Sequence, residues 1–281
     1  MDLRAGIPLL SDVDELLQTK LYHDHTEFNR QFLARHGPAL RGYGRHWGQD
    51  PFQLWSRRWE YPFAAERLLR FARTRGERAL SILDAGSGVT YFDYFVCEQL
   101  PNANIVCVDY DTSYPAMFDA INRNAGHRRV TFQQAALQGL PTADGTLDAI
   151  VCISVLEHTD NHEQIIAEFA RALRPGGAMV LTFDLSLDGR FELARLAAER
   201  LLDCIAERFV FEDAFDPRAE LSAMDSRREL ILSTDAIRRR DPSLLPWRYP
   251  LLKGVQDLFT GHGWTGGFRS KSVFCLDTRR R

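Results

Sequence analysis

The sequence predicts an open α/β fold: a doubly wound, mostly parallel sheet of about seven strands with helices on both faces. Three observations carry that prediction. Between residues 80 and 185, short apolar runs alternate with amphipathic stretches of helical period, and strands separated by helices pair in parallel through right-handed crossovers. The first apolar run feeds a glycine turn, Gly86-Ser87-Gly88. The second ends in an acid, Asp109, 21 residues after Gly88.

Residues 1–76 read as helical. Ser11 or Asp12 caps a helix whose apolar positions Val13, Leu16, Leu17 and Leu21 recur at helical spacing, continued by Phe28 and Phe32. The glycine-rich stretch 42–48 interrupts the pattern and reads as a loop. Pro62 suits the start of the next helix, with Ala65, Leu68, Leu69 and Ala72 inward. Residues 81–85 form the first strand, and Thr90 caps a helix carrying Phe92, Phe95, Val96 and Leu100. Residues 104–108, 130–132 and 149–153 are the next three strands. Asp160 and Glu163 have capping-box spacing ahead of Ile165, Ile166, Phe169 and Leu173. Residues 174–177 stop that helix, and 178–183 form the fifth strand. Beyond it we expect a helix over about 191–208, a short one from Ser233 or Thr234, and a last strand over 272–276. The Trp-, Pro- and Arg-rich stretch between these elements shows no period that assigns it.

Composition narrows the function classes. A net charge of −3 gives no general positive field for a nucleic-acid backbone. Arg238, Arg239 and Arg240 read as a solvated helix face, and Arg279, Arg280 and Arg281 as a frayed tail. Residues 1–10 lack the apolar core of a secretory signal, and no apolar run is long enough to span a bilayer. Five scattered cysteines include Cys107 and Cys152 inside apolar runs, where they read as reduced core residues. The expectation is a cytoplasmic protein with neither nucleic acid nor membrane as partner; a homodimer is compatible with the sequence. His23-Asp24-His25 does not read as a metal site, because adjacent helical positions face different ways. We expect surface histidines there and no metal.

The glycine turn carries the first chemistry. Without side chains, Gly86 and Gly88 let a ligand approach the backbone at a helix start. Asp84, two residues before Gly86, would repel a phosphate and suits a cationic amino group. Asp109, at a strand end, can accept hydrogen bonds from the two hydroxyls of a ribose.

Further on stand Leu140-Pro141, then Leu147-Asp148-Ala149-Ile150-Val151, then Val155-Leu156-Glu157-His158, then Leu173-Arg174-Pro175-Gly176-Gly177. Together with residues 82–90, in this order and spacing, they resemble the class I S-adenosylmethionine-dependent methyltransferases. The likeness is to the small-molecule group with an LEH segment after the fourth strand and LRPGG before the fifth. It covers about residues 80–185.

The resemblance implies a Rossmann-like core, S-adenosylmethionine as cofactor, and methyl transfer to a small metabolite such as a sugar or secondary-metabolite scaffold; oxygen is the expected acceptor atom, with nitrogen and carbon left open. It implies that Asp84, Gly86, Ser87 and Gly88 cradle the methionine part, Asp109 binds the ribose, and Tyr110 lies beside adenine. Asp148 matches a structural turn position, and Glu157 and His158 the edge of the methyl-transfer cleft. Residues 1–76 become a helical lid or substrate segment and 77–281 the cofactor-binding domain, with its core at 80–185 and substrate-side additions at 186–270.

Two positions depart from the family pattern. Thr90 replaces the third glycine, narrowing the turn. Ala136 stands where many members hold an acid near the adenine amino group, so adenine recognition falls to main-chain groups near Ala136 and Leu137. If the acceptor is a hydroxyl, His158 is the candidate general base, the alternative being a framework histidine. Tyr22, Phe28, Trp55 and Trp59 are candidates for a lid over the acceptor or for ordinary core. Two other functions are compatible with parts of this pattern. One is a non-catalytic S-adenosylmethionine-binding partner subunit. The other is an NAD-dependent dehydrogenase, opposed by Asp84 and by Tyr91 where a third small residue is needed.

Overall fold

The computed structural model describes residues 2–41, 43, 50–126, 128–190, 192–245 and 269–281. Seven strands form one sheet: β1 Leu80–Ala85, β2 Ala103–Asp109, β3 Val130–Gln134, β4 Leu147–Ile153, β5 Leu173–Ser186, β6 Phe209–Phe211 and β7 Lys271–Arg280. Their order is β3-β2-β1-β4-β5-β7-β6. The first five are parallel, and β7 runs antiparallel between β5 and β6. The chain winds outward from β1 to β3, then returns to place β4 on the other side of β1. The crevice of such a fold opens at that reversal, at the carboxyl ends of β1 and β4.

The described helices are α1 Leu10–Leu16, α2 Lys20–His36, α3 Arg57–Arg73, α4 Phe92–Gln99, α5 Tyr114–Ala125, α6 His162–Ala172, α7 Arg195–Arg208, α8 Pro217–Ala223 and α9 Thr234–Arg240. Strand side chains alternate between two cores. Ile82, Ile105, Val151 and Val180 meet Trp59, Phe63, Phe95 and Phe118 on the face covered by α3, α4 and α5. Leu83, Val108, Ile150 and Leu181 meet Ile165, Phe169 and Leu201 on the face covered by α6 and α7. Covered on both faces, β4 is buried along its whole length.

Several expectations need correction. The first helix is two: α1 starts at Leu10, with Asp12 accepting from the Leu9 N–H at 2.9 Å, and α2 is capped by Thr19, which accepts from Tyr22 N–H. Pro62 lies inside α3 rather than at its start. Lacking an N–H, it forfeits a helical bond at a cost of about 3 kcal/mol. Burial of Trp59, Phe63, Leu68 and Phe71 on the same helix offsets that loss. Among the described residues no helix joins β3 to β4; Leu137 and Leu140 fill the second core from a loop instead. No side chain caps α6, so Asp160 and Glu163 make no capping box. Residues 174–177 belong to the irregular start of β5.

The carboxyl-terminal arginines are not frayed. Arg279 pairs with Glu212 at 3.0 Å and Arg280 donates to the Leu173 carbonyl, both from within β7. α7 begins at Arg195; Leu193, ahead of it, bridges to Leu185. Phe191 and residues 42–48 other than Tyr43 lie outside the described residues, as does most of the unassigned stretch. His25 is wholly buried rather than a surface histidine. Its Nδ1 lies 2.8 Å from the Tyr91 hydroxyl, and its ring packs on Phe95 with centroids 3.9 Å apart. Adjacent helical positions do face differently, and this one faces the core.

Candidate active site

The site is built from the carboxyl ends of β1, β2 and β4. After β1 the backbone turns sharply, and Gly86 N–H and Ser87 N–H both donate to the Val108 carbonyl, at 2.7 and 3.2 Å. Gly86 and Gly88 adopt left-handed backbone, with φ of +77° and +56°. A Cβ on Gly86 would collide with Val155, and one on Gly88 with the Tyr43 hydroxyl. Glycine is required at both positions for conformation and for space.

Asp109 ties the turn to β2. Its Oδ2 accepts from Gly88 N–H and its Oδ1 from Asp111 N–H, both at 3.2 Å. Burial raises its pKa above the ordinary carboxylate value. Its carbonyl accepts from Ala135 N–H at 3.0 Å, which brings Ala136 to the same edge. Tyr110 is 81% exposed there. Asp84, Gly86, Ser87, Gly88, Asp109, Tyr110 and Ala136 are thus gathered along the ends of β1 to β3. Leu137 differs: its side chain is in the second core, so only its main chain faces a ligand.

Glu157 and His158 lie on a 3-10 turn, Leu156–His158, just past β4. Val155 joins this segment to the glycine turn, and Ser154 before it has a strained φ of +49°. Glu157 Oε1 accepts from Asp184 N–H at 3.1 Å, while its Oε2 has no partner among the described residues. Burial, then the nearby Asp184 carboxylate, pushes the Glu157 carboxyl well up. Protein packed around the His158 ring lowers its pKa below that of free imidazole, although the residue is exposed at the rim. Asp148 behaves as a framework group: buried in β4, it accepts from Ser81 N–H at 2.9 Å and pairs with Arg78 and Arg174.

The structure adds residues that the sequence reading missed. Glu60 of α3 is wholly buried and accepts from Ser154 Oγ at 2.6 Å, from Thr182 Oγ1 at 2.5 Å and from Arg57. Arg57 also donates to Ser154 Oγ at 2.8 Å. Burial opposes the Arg57 charge, but Glu60, Asp184 and Glu157 hold it positive. Lys271 pairs with Asp184 and lies 3.5 Å from Glu192, completing a charged group beyond β4 and β5. Tyr43 lies against Gly88 and Val89 and Tyr61 against Thr90, so Tyr43 and α3 close over the glycine turn. Tyr22, Trp55 and Trp59 lie in the first core, and Phe28 packs against it. Asp84, 4% exposed, contacts the buried Asp93 of α4. Polar residues such as Asp93 and Asp184 within apolar runs were the available signal.

Comparison with known proteins gives concordant results. Residues 83–181 match the family model described as a methyltransferase domain. Over 127 residues the chain is 30% identical to a demethylmenaquinone methyltransferase of Deinococcus radiodurans, covering 44% of this chain and 48% of that protein. Over 115 residues it is 31% identical to a thiol S-methyltransferase of Homo sapiens, covering 40% and 44%. The chain therefore spans under half the length of these relatives. A geranyl diphosphate methyltransferase solved with S-adenosylmethionine superposes with a TM-score of 0.51 at 17% identity, covering 80% of this chain and 86% of that one. At that identity the likeness is one of fold.

Proposed function

We propose that the whole chain transfers a methyl group from S-adenosylmethionine to a small-molecule hydroxyl acceptor. Residues 83–181 are a class I S-adenosylmethionine-dependent methyltransferase domain, and S-adenosylmethionine is its cofactor. The observation that carries the reading is Asp109 bound to Gly88 N–H: one carboxylate braces the glycine turn and keeps lone pairs for a ribose diol. The residues fit the cofactor in two further ways. A side chain on Gly86 or Gly88 would fill the cradle, and Asp84 suits a cation while disfavouring a pyrophosphate. Tyr91, wholly packed among aromatic rings where a dinucleotide turn needs a small residue, disfavours NAD as well.

When bound, the cofactor would supply an electrophilic methyl group, its methyl–sulfur bond breaking as the acceptor takes the methyl and S-adenosylhomocysteine leaves as a neutral thioether. What this chain contributes is orientation, worth several of the roughly 7–11 kcal/mol available from positioning reactants. Arg57, Lys271, Asp184 and Glu192 present charge beyond β4 and β5, which supports a polar acceptor over a hydrocarbon one. His158, neutral at pH 7 because its pKa is lowered, takes the acceptor proton. Residues 1–76 act as the lid, with Tyr43 and Tyr61 as its inner surface. The reading includes neither nucleic acid nor membrane as partner; no described helix is long and apolar enough to cross a bilayer.

Calorimetry tests this reading. S-adenosylhomocysteine should bind at micromolar concentration and NAD not measurably. Asp109→Ala should weaken the former at least about tenfold, about 1.5 kcal/mol, through loss of bonds to a charged acceptor. Tight NAD binding, or unchanged affinity in the variant, would overturn it. Turnover with an acceptor separates an enzyme from a silent binding subunit.

A further inference from the structure

Asp84 and Asp93 are two carboxyl groups buried against each other, and the proposed mechanism assigns nothing to Asp93. Asp84 ends β1, two residues before Gly86, while Asp93 lies in the first turn of α4, the helix that the glycine turn opens. Asp93 is wholly buried; no donor among the described residues reaches full hydrogen-bond distance of either oxygen, and besides Asp84 only the Cys107 thiol and the residue's own N–H act on them. The two side chains are within hydrogen-bonding reach of each other. An ionised carboxylate only accepts, so a bond between the two requires a proton on one of them.

The surroundings offer no other remedy. The groups acting on the pair are Cys107 and Asp109 from β2, Cys152 from β4, Tyr61 from α3, and Tyr94 and Cys97 from α4 itself. All of these are neutral or acidic. Two buried carboxylates cannot both ionise there unless a cation joins them. Burial and the neighbouring Asp93 push Asp84 well up, and burial raises Asp93 to about 6. At neutral pH the free pair therefore keeps one proton.

We propose that Asp93 is a positioning residue for the cofactor: with Asp84 it forms a two-carboxylate seat for the ammonium of the methionine end, and seating that cation expels the pair's shared proton to solvent. The inference rests on the S-adenosylmethionine reading and deepens it. No covalent bond changes; one proton passes to water as one cation arrives. Because the complex holds fewer protons than its parts, affinity rises with pH, by up to about tenfold per unit while the free pair is protonated.

The experiment is calorimetry on the full chain at about pH 6.5, where the ligand's own α-amino group is protonated, in two buffers of different ionisation heat. S-adenosylhomocysteine should release close to one proton. 5′-Methylthioadenosine, which lacks the amino-acid end, should release none. In Asp93→Asn the release with S-adenosylhomocysteine should fall and its affinity should rise less steeply with pH, while affinity for methylthioadenosine stays within about threefold. Equal release with both ligands, or equal release in parent and variant, overturns the proposal. If the variant does not fold, the two-ligand comparison on the parent decides alone. If methylthioadenosine does not bind, the variant decides. Absence of any S-adenosylhomocysteine binding would instead remove the functional reading beneath it; binding without proton release removes only the seat.

Discussion

Glu60→Ala gives the sharpest stability test of the packing between α3 and the site. Glu60 is wholly buried and serves Ser154 Oγ, Thr182 Oγ1 and Arg57 at once. Removing it leaves the Arg57 guanidinium, whose side chain is only 17% exposed, without its nearest counter-charge. Breaking one partner of a buried pair costs about 3–5 kcal/mol. Each orphaned hydroxyl adds about 1 kcal/mol. Two effects reduce the total: Asp184 and Glu157 also hold the Arg57 charge, and losses within one network are not additive. The expected loss is therefore about 3–5 kcal/mol, read as a lower urea midpoint at unchanged slope. Glu60→Gln should lose less, since it keeps an acceptor oxygen and the shape. Arg57→Met with Glu60→Leu should recover at least half of the loss, because no uncompensated charge remains. A loss below about 1 kcal/mol in Glu60→Ala, or no recovery in the double variant, would show that the pair is not a buried network.

Two other expectations concern histidines. His158→Ala should lower kcat at least about 100-fold with cofactor affinity within about threefold, the usual yield of a general base. The acidic limb of the parent pH–rate profile should lie below the free-imidazole value and vanish in the variant; retention of more than a tenth of kcat marks His158 as framework. His25, whose pKa burial lowers to about 3, must stay neutral when folded. Its folded value lies below its unfolded value of 6.5, so its stabilising contribution is complete above that pH and is lost as pH falls toward 3. Between about pH 6.5 and 5 this costs about 2 kcal/mol. The difference in unfolding free energy between parent and His25→Gln should shrink by that amount over the interval; a constant difference refutes the burial argument.

Local chemistry alone determined much of this protein. The alternation of apolar runs and amphipathic stretches dictates a parallel sheet wherever it lands, because each run has only another strand to satisfy its backbone. Gly86, Gly88 and Asp109 were legible for the same reason: conformational freedom and a strand-end carboxylate are properties of residue type and near spacing. Their gathering follows from β1 and β2 being neighbours, which right-handed crossovers impose. What the sequence left open depends on pairs far apart in the chain. Pro62 reads as a helix start until α3 is seen buried along its length, where tertiary contact outweighs a lost bond. His25 reads as a surface residue until Phe52, Tyr91 and Phe95 surround it. Asp93 meets Asp84, Glu60 meets Ser154 and Thr182, and Lys271 meets Asp184 across separations from 9 to 122 residues. No local period encodes those meetings. Packing of α3 and α4 on the sheet, and the antiparallel entry of β7 beside β5, brings these charges together, and burial then sets which of them keeps a proton.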